Sequence, residues 1–283
     1  MRDSGKRGLA IGFFDGVHLG HQAILAGASV AITFKNHPLS VLAPEKAPQM
    51  LMAWPDREAA IRACGVESVI GLEFTPAMAA LEAEDFATGY IAKVDSGKSC
   101  QIRSGANWRF GRGGRGSLAT LAQLGYEVCE VPYAVCGGEV VSSTRIRKAL
   151  ADGDLPGAAA MLGKNWMLSG TIVHGKGEGG KMGFPTVNIL PDAQLVKLPH
   201  GVYECRYGGR KAVANYGIAP TFRERAWQTP VCEVHVIEGS GNRESGTGKV
   251  EMVRFLRPER QFASQEELKA QIRRDVDGIL QSL

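Results

Sequence analysis

Two histidines three residues apart, His18 and His21, follow the run Ile11-Gly12-Phe13-Phe14-Asp15-Gly16-Val17. On one helical turn that spacing points both imidazoles the same way. A helix N-terminus favours phosphate, and paired imidazoles there can donate hydrogen bonds to charge developing on a phosphoryl group. Gly12 and Gly16 let a ligand approach the backbone closely. Spacing alone leaves a plainer alternative open, two surface histidines at a helix start. A second stretch, 175–183, sets Lys176 and Lys181 among Gly175, Gly177, Gly180 and Gly183. Its formal G-x-G-x-x-G is not a dinucleotide fingerprint, because Pro185 and a β-type run follow where a helix is required. A flexible loop arching over phosphates fits better. Thr186 and Asn188 come next, two apart, and on a strand would face one side. Further on, Val231–Ile237 alternates, with Cys232, Val234 and Val236 toward a core and Glu233 and His235 on the other face.

Elements able to hold these groups can be read from the hydrophobic pattern. Up to about residue 165, short apolar strands (9–13, 31–34, 68–72, 99–104, 127–131) alternate with helical segments (56–64, 76–81, 84–92, 118–124). That rhythm predicts an α/β half, a mostly parallel sheet covered by helices. The histidine motif then lies where the first strand enters a helix, at the carboxyl edge where such sheets bind ligands. Later, short runs at 169–174, 186–190, 202–207, 212–216, 231–237 and 249–255 are separated by Gly, Pro and Asn, which predicts a small six-stranded all-β barrel. A helix closes the chain, with Ser264 and Glu267 as a capping box and Leu268, Ile272 and Val276 as its apolar stripe. The helical run 155–162 bridges the halves.

The chain has 283 residues, enough for two domains, and a net charge of +4 that suits anionic small substrates better than nucleic acid. A short basic loop with Arg109, Arg112 and Arg115 is too local to make a nucleic-acid face. Six cysteines form no C-x-x-C pair, and no apolar run approaches the roughly 18 residues of a membrane span. The expectation is a cytoplasmic protein with reduced thiols and no membrane partner.

Gly12–His21 resembles the H-x-G-H signature of nucleotidyltransferases, in the form typical of FAD synthetases. The resemblance implies adenylyl transfer, in which the FMN phosphate attacks the α-phosphorus of ATP and pyrophosphate leaves. His18 and His21 would stabilise the transferring group, with Gly12, Phe13, Asp15 and Gly16 around the nucleotide. Gly105–Gly111 resembles the same family's G-x-[DN]-[FW]-x-F-G segment, which implies that Asn107 contacts the nucleotide. Ser142–Arg147 resembles its S-S-T-x-[IV]-R segment. Physically the last is a hydroxyl-rich helix start with Arg147 one turn in; Ser143, Thr144 and Arg147 suit ATP phosphates, though an ordinary cap would look alike.

Pro185-Thr186-x-Asn188 after its glycine loop resembles the riboflavin kinase signature. That places Gly175, Lys176, Gly177, Lys181 and Gly183 over a nucleotide. Thr186 and Asn188 offer neutral oxygens to Mg²⁺ that also keeps water and phosphate ligands. By the same resemblance Glu233 is the general base for the riboflavin 5′-hydroxyl. Phe34, His37 and Pro38 would contact flavin in one half, Arg257 and Phe262 in the other. Stretches 212–222 and 255–262 also match, so the resemblance, to bacterial bifunctional riboflavin kinase/FAD synthetases, covers nearly the whole chain. It implies an FAD synthetase domain over 1–162 with a linker helix, a riboflavin kinase domain over 163–283, substrates riboflavin, FMN and ATP, and Mg²⁺. Three departures stand out. The helix after His21 has room for about two turns, ending at Gly27. Lys35-Asn36 replaces an acid and a proline, and 238–249 lacks a Leu-Tyr-Gly. Two alternatives remain: a kinase without the second activity, or a flavin- or nucleotide-binding regulator. Oligomeric state is not legible.

Overall fold

The computed structural model describes residues 7–95, 97, 99–175, 178–218, 230–237 and 245–281, without the side chains of Glu178 and Lys181. These residues form two compact units, one of residues up to Pro48 plus Trp54–Ser143, the other of Gln49–Ala53 plus Thr144 onward. Helices Ser143–Ala151 and Leu155–Leu162 therefore go almost entirely with the second unit.

In the first unit, β1 (Gly8–Ile11), β2 (Ala28–Phe34), β3 (Ser68–Leu72), β4 (Gln101–Gly105) and β5 (Glu127–Val131) make one sheet in the order β3-β2-β1-β4-β5. Every pairing is parallel. Leu9, Ile11, Val30, Ile32 and Ile102 are buried in one cluster with Phe86, Phe110 and Leu121 from the covering segments. Burial on both faces explains the nearly continuous apolar runs in β1 and β2. The chain steps outward from β1 through β2 to β3, then restarts on the other side at β4. The loops leaving β1 and β4 therefore diverge and open a crevice at the strands' carboxyl ends.

The helix after the histidine motif is Leu19–Leu25, seven residues long and two turns as expected. The helix expected over 84–92 is interrupted: α-helical Ala83–Phe86 passes through a π segment, Ala87–Ile91, into Ala92–Val94. A small hairpin, β6 (Val135–Cys136) and β7 (Glu139–Val140), was not anticipated, since two-residue strands carry no periodic signal.

The second unit is a closed antiparallel barrel of β8 (Trp166–Val173), β9 (Val187–Pro191), β10 (Gly201–Tyr207), β11 (Arg210–Gly217), β12 (Val231–Val236) and β13 (Thr247–Pro258). Round the barrel the order is β10-β11-β12-β9-β8-β13, and β13 pairs with β10 to close it. Trp166, Tyr203, Cys205, Tyr216, Cys232, Val234 and Met252 are buried. Burial pushes the Cys205 thiol well up and that of Cys232 to about 12, so both act as small apolar groups. Gln49–Ala53 belongs to this unit. Met50 N–H donates to the Gln194 carbonyl at 2.7 Å, and the Trp166 indole donates to Leu51 at 2.8 Å. The last helix, Gln265–Gln281, is capped by Ser264, whose hydroxyl accepts the Glu267 N–H at 3.2 Å. The Glu267 carboxylate accepts from Ala263, one residue before the expected box. Val276 and Ile279 seat this helix against Val202 and Val213.

Candidate active sites

The turn leaving β1 is tight enough to hold Phe14 and Val17 at positive φ, 55° and 43°. Such backbone costs about 1–3 kcal/mol per residue and persists only where surroundings enforce it. Here both side chains are buried, and the Gln22 amide donates to the Val17 carbonyl at 2.9 Å. The turn delivers His18 to the helix start as its N-cap, with Nδ1 accepting the His21 N–H at 3.3 Å. The two imidazoles stack at 3.6 Å and 17°. Because His18 Nδ1 is an acceptor, the neutral ring carries its proton on Nε2. His21 Nδ1 is buried without a hydrogen-bond partner among the described residues, and a bare acceptor there costs less than an orphaned N–H, so its proton also sits on Nε2. Burial, then His18, then the cation of Arg57 hold His21 well below the usual histidine range. His21 is thus a neutral Nε2–H donor near pH 7, and His18, whose Nδ1 accepts the cap bond, also carries an N–H on Nε2.

Gly12, Phe13, His18, His21, Asn107 and Ser143 line a cavity of about 280 Å³ beside this turn. A second cavity of about 230 Å³ is bounded by Phe34, Pro38, Phe74, Phe86 and Phe110, an apolar lining suited to a flat ring. The two share Ile11, Gly12, Phe13 and Trp108, from the ends of β1 and β4. A compartment that holds His18, His21, Asn107 and Ser143 and an aromatic one therefore meet at the switch point of the sheet.

Several expected residues are not among these linings. Asp15 is buried beneath the turn; its carbonyl accepts the Ser143 hydroxyl at 3.0 Å, and its charge offsets the burial of Arg57. Gly16 is buried in the turn at φ 83° and outside both linings. His37 packs edge-on against Phe13 at 4.8 Å, its Nδ1 accepting the Leu39 N–H. Thr144 and Arg147 belong to the second unit, where Arg147 donates to the Gln49 carbonyl at 2.6 Å. Lys35, at the position of an expected acid, pairs at 3.7 Å with Glu73 on the exposed surface. Arg57 was missed. It follows a legible signal, a charged residue on the buried face that Ala60 and Ile61 share at helical spacing.

In the barrel, Glu233 on β12 lies opposite Asn188 of β9 and Asn215 of β11. Cys232, Val234 and Val236 turn inward and are buried, as the alternation predicted. Burial pushes the Glu233 carboxyl up, and the negative charge of Glu259 adds to it. Glu259, not singled out from sequence, accepts the Asn215 amide at 3.0 Å. His174, Gly175, Gly180, Thr186 and Asn188 line a small pocket. A Cβ on Gly175 would come within 2.5 Å of Asn188 Nδ2, so only glycine lets the loop sit this close. Gly183 turns at φ 90°. The loop's exit is held by a 2.9 Å hydrogen bond between His235 Nδ1 and the Pro185 carbonyl. Lys176 and Gly177 lie outside the described residues, as does the Lys181 side chain. Arg257, expected at flavin, forms a three-bond pair with Asp275 of the last helix, and its guanidinium lies 6.0 Å from the Phe262 ring.

Family models for FAD synthetase and riboflavin kinase match residues 2–145 and 162–283. The bifunctional riboflavin kinase/FMN adenylyltransferase of Escherichia coli strain K12 is 34% identical over 94% of this chain and 90% of its own. The protein of the same name from Bacillus subtilis strain 168 is 30% identical over 96% and 91%. A crystal structure described as a macrolide-efflux protein from Streptococcus pneumoniae superposes with a TM-score of 0.84 at 26% identity, covering 99% of this chain and 96% of that one. Among the described residues of the present chain, no helix is long and apolar enough to cross a membrane.

Proposed function

The chain belongs to the bifunctional riboflavin kinase/FMN adenylyltransferase family, and from that premise we propose that it converts riboflavin to FMN and FMN to FAD, each with ATP. The barrel catalyses the first step and the parallel-sheet unit the second. The observation that carries the second activity is the stacked His18–His21 pair beside two cavities that share one wall. The aromatic cavity takes the isoalloxazine ring and the one beside the histidines takes ATP, so the FMN phosphate meets the α-phosphorus near Gly12 and Phe13. As an FMN oxygen bonds to that phosphorus, its bond to pyrophosphate breaks. The two Nε2–H groups stabilise the charge on the transferring group without a proton leaving the enzyme.

In the barrel, Glu233 accepts the proton of the riboflavin 5′-hydroxyl as that oxygen attacks the γ-phosphorus, and ADP leaves. Its raised pKa makes it a better base than a solvated carboxylate. Thr186 and Asn188 fit Mg²⁺, since both line one small pocket and both carry neutral oxygens. Bound there with nucleotide, the ion would neutralise phosphate charge. Gly175 and Gly183 shape the loop over the phosphates. We place the enzyme in the cytoplasm, where ATP is plentiful and buried thiols stay reduced.

The test is to incubate pure protein with riboflavin, ATP and Mg²⁺ and separate the flavins by chromatography. FAD is expected; FMN alone would leave only the kinase, and neither product would leave a binding protein. Glu233→Gln should abolish FMN formation yet still make FAD from supplied FMN, and His21→Ala should do the reverse. Loss of both activities in either variant would refute the division of labour.

A further inference from the structure

Arg57 is fully buried, yet it lines neither cavity of the sheet unit. Its Nη2 donates to the carbonyls of Phe34 and Lys35, each at 2.7 Å, where β2 ends. Its guanidinium carbon lies 4.4 Å from the centre of the Phe13 ring and 5.3 Å from that of Trp54. Nε and Nη1 are buried without hydrogen-bond partners among the described residues, so the two ring faces and the charge of Asp15 are what the rest of the cation meets. Trp54 is itself seated: a Cβ on Gly71 of β3 would come within 2.4 Å of its ring, so glycine there makes its berth. A buried cation is costly unless compensated, and an aliphatic side chain would fill the same space without that cost. What the guanidinium adds is a tie between Phe13, from the turn after β1, and Phe34, at the end of β2. Both line the aromatic cavity. Through the edge contact of Phe13 with His37, the same tie reaches the segment that follows β2.

We infer that Arg57 is a positioning residue for the flavin substrate, holding two parts of the aromatic cavity's wall, Phe13 and Phe34, at the separation a flat ring requires. This rests on the adenylyl-transfer reading above. Arg57 touches no reacting atom; Phe13 borders both cavities but Phe34 only the aromatic one, so the loss of Arg57 falls more on flavin binding than on nucleotide binding, and not on the barrel.

The experiment compares the native enzyme with Arg57→Met and Arg57→Lys, measuring kcat and KM for FMN and ATP separately, with riboflavin phosphorylation in the same preparations. For Arg57→Met the KM for FMN should rise about tenfold or more while that for ATP stays within about twofold, because misplacing a wall affects the substrate it orients. Kinase activity should not change. Arg57→Lys keeps a cation over Phe13 and one carbonyl bond, and should recover part of the loss. An unchanged KM for FMN, an equal rise in both KM values, or a lysine variant no better than methionine would each overturn the inference. If Arg57→Met does not fold, Trp54→Phe loosens the same support and should raise the KM for FMN alone; an unchanged value there would also overturn it. A native enzyme that makes no FAD would instead defeat the functional reading, so the two failures are distinct.

Discussion

His18 does two jobs that substitution can separate. Its Nδ1 caps the seven-residue helix Leu19–Leu25, and in the proposed reaction its Nε2–H donates to the transferring phosphoryl group. The cap bond is long, 3.3 Å, so His18→Ala should cost near the low end of the cap range, about 0.5–1 kcal/mol. In a unit of this size that lowers Tm by about 1–4 °C. Asparagine is a good N-cap and restores the acceptor, so His18→Asn should melt with the native protein. Neither variant can donate as the imidazole does, and losing one such donor costs about 10²–10³ in kcat. Expected, then, are two variants equally poor at adenylyl transfer and unequal in Tm, both with intact riboflavin phosphorylation. The assay is the initial rate of FAD formation from FMN and ATP at saturation, alongside thermal melting. His18→Asn turning over within about tenfold of the native enzyme would refute the donor role. An activity that returned in step with Tm would show the histidine to be only a cap.

Glu259→Gln should move the acidic limb of the kinase kcat/KM profile to lower pH. The Glu259 charge disfavours ionised Glu233, so removing it lowers the pKa of the base and keeps it deprotonated in more acid; a limb that stayed put or moved up would contradict this. Gly175→Ala should suppress FMN formation, since the new Cβ would press on Asn188 Nδ2 at 2.5 Å, while FAD formation from FMN continues. Kinase turnover equal to the native enzyme would show that the loop need not lie that close.

Patterns repeating over neighbouring residues were legible. The β12 alternation sorted Glu233 from Cys232 and Val234, and the short run to Gly27 set the two-turn helix. What was not legible depends on partners far away in the chain. Nothing local tells that His18 caps by its ring nitrogen, since histidine is an unusual cap, or that Asp15 would lie beneath the turn. Nor is it legible that Arg257 pairs with Asp275 of the last helix, since the two are far apart in sequence. The π segment at Ala87–Ile91 escaped because a single widened turn hardly alters the apolar stripe. Arg57 was readable in principle as a charge on an apolar face, but not the rings that receive it.

β13 has a further consequence. Thr247–Met252 pairs with β8 on one edge and Val250–Pro258 with β10 on the other, so one late strand is the seam of the whole barrel. Until the ribosome delivers it, β8 and β10 are bare sheet margins, and bare margins invite pairing with other chains. The parallel sheet has all five strands by Val131, long before Thr247 is synthesised. The half that uses FMN can thus assemble during translation, while the half that makes FMN must wait for nearly the last of the described chain.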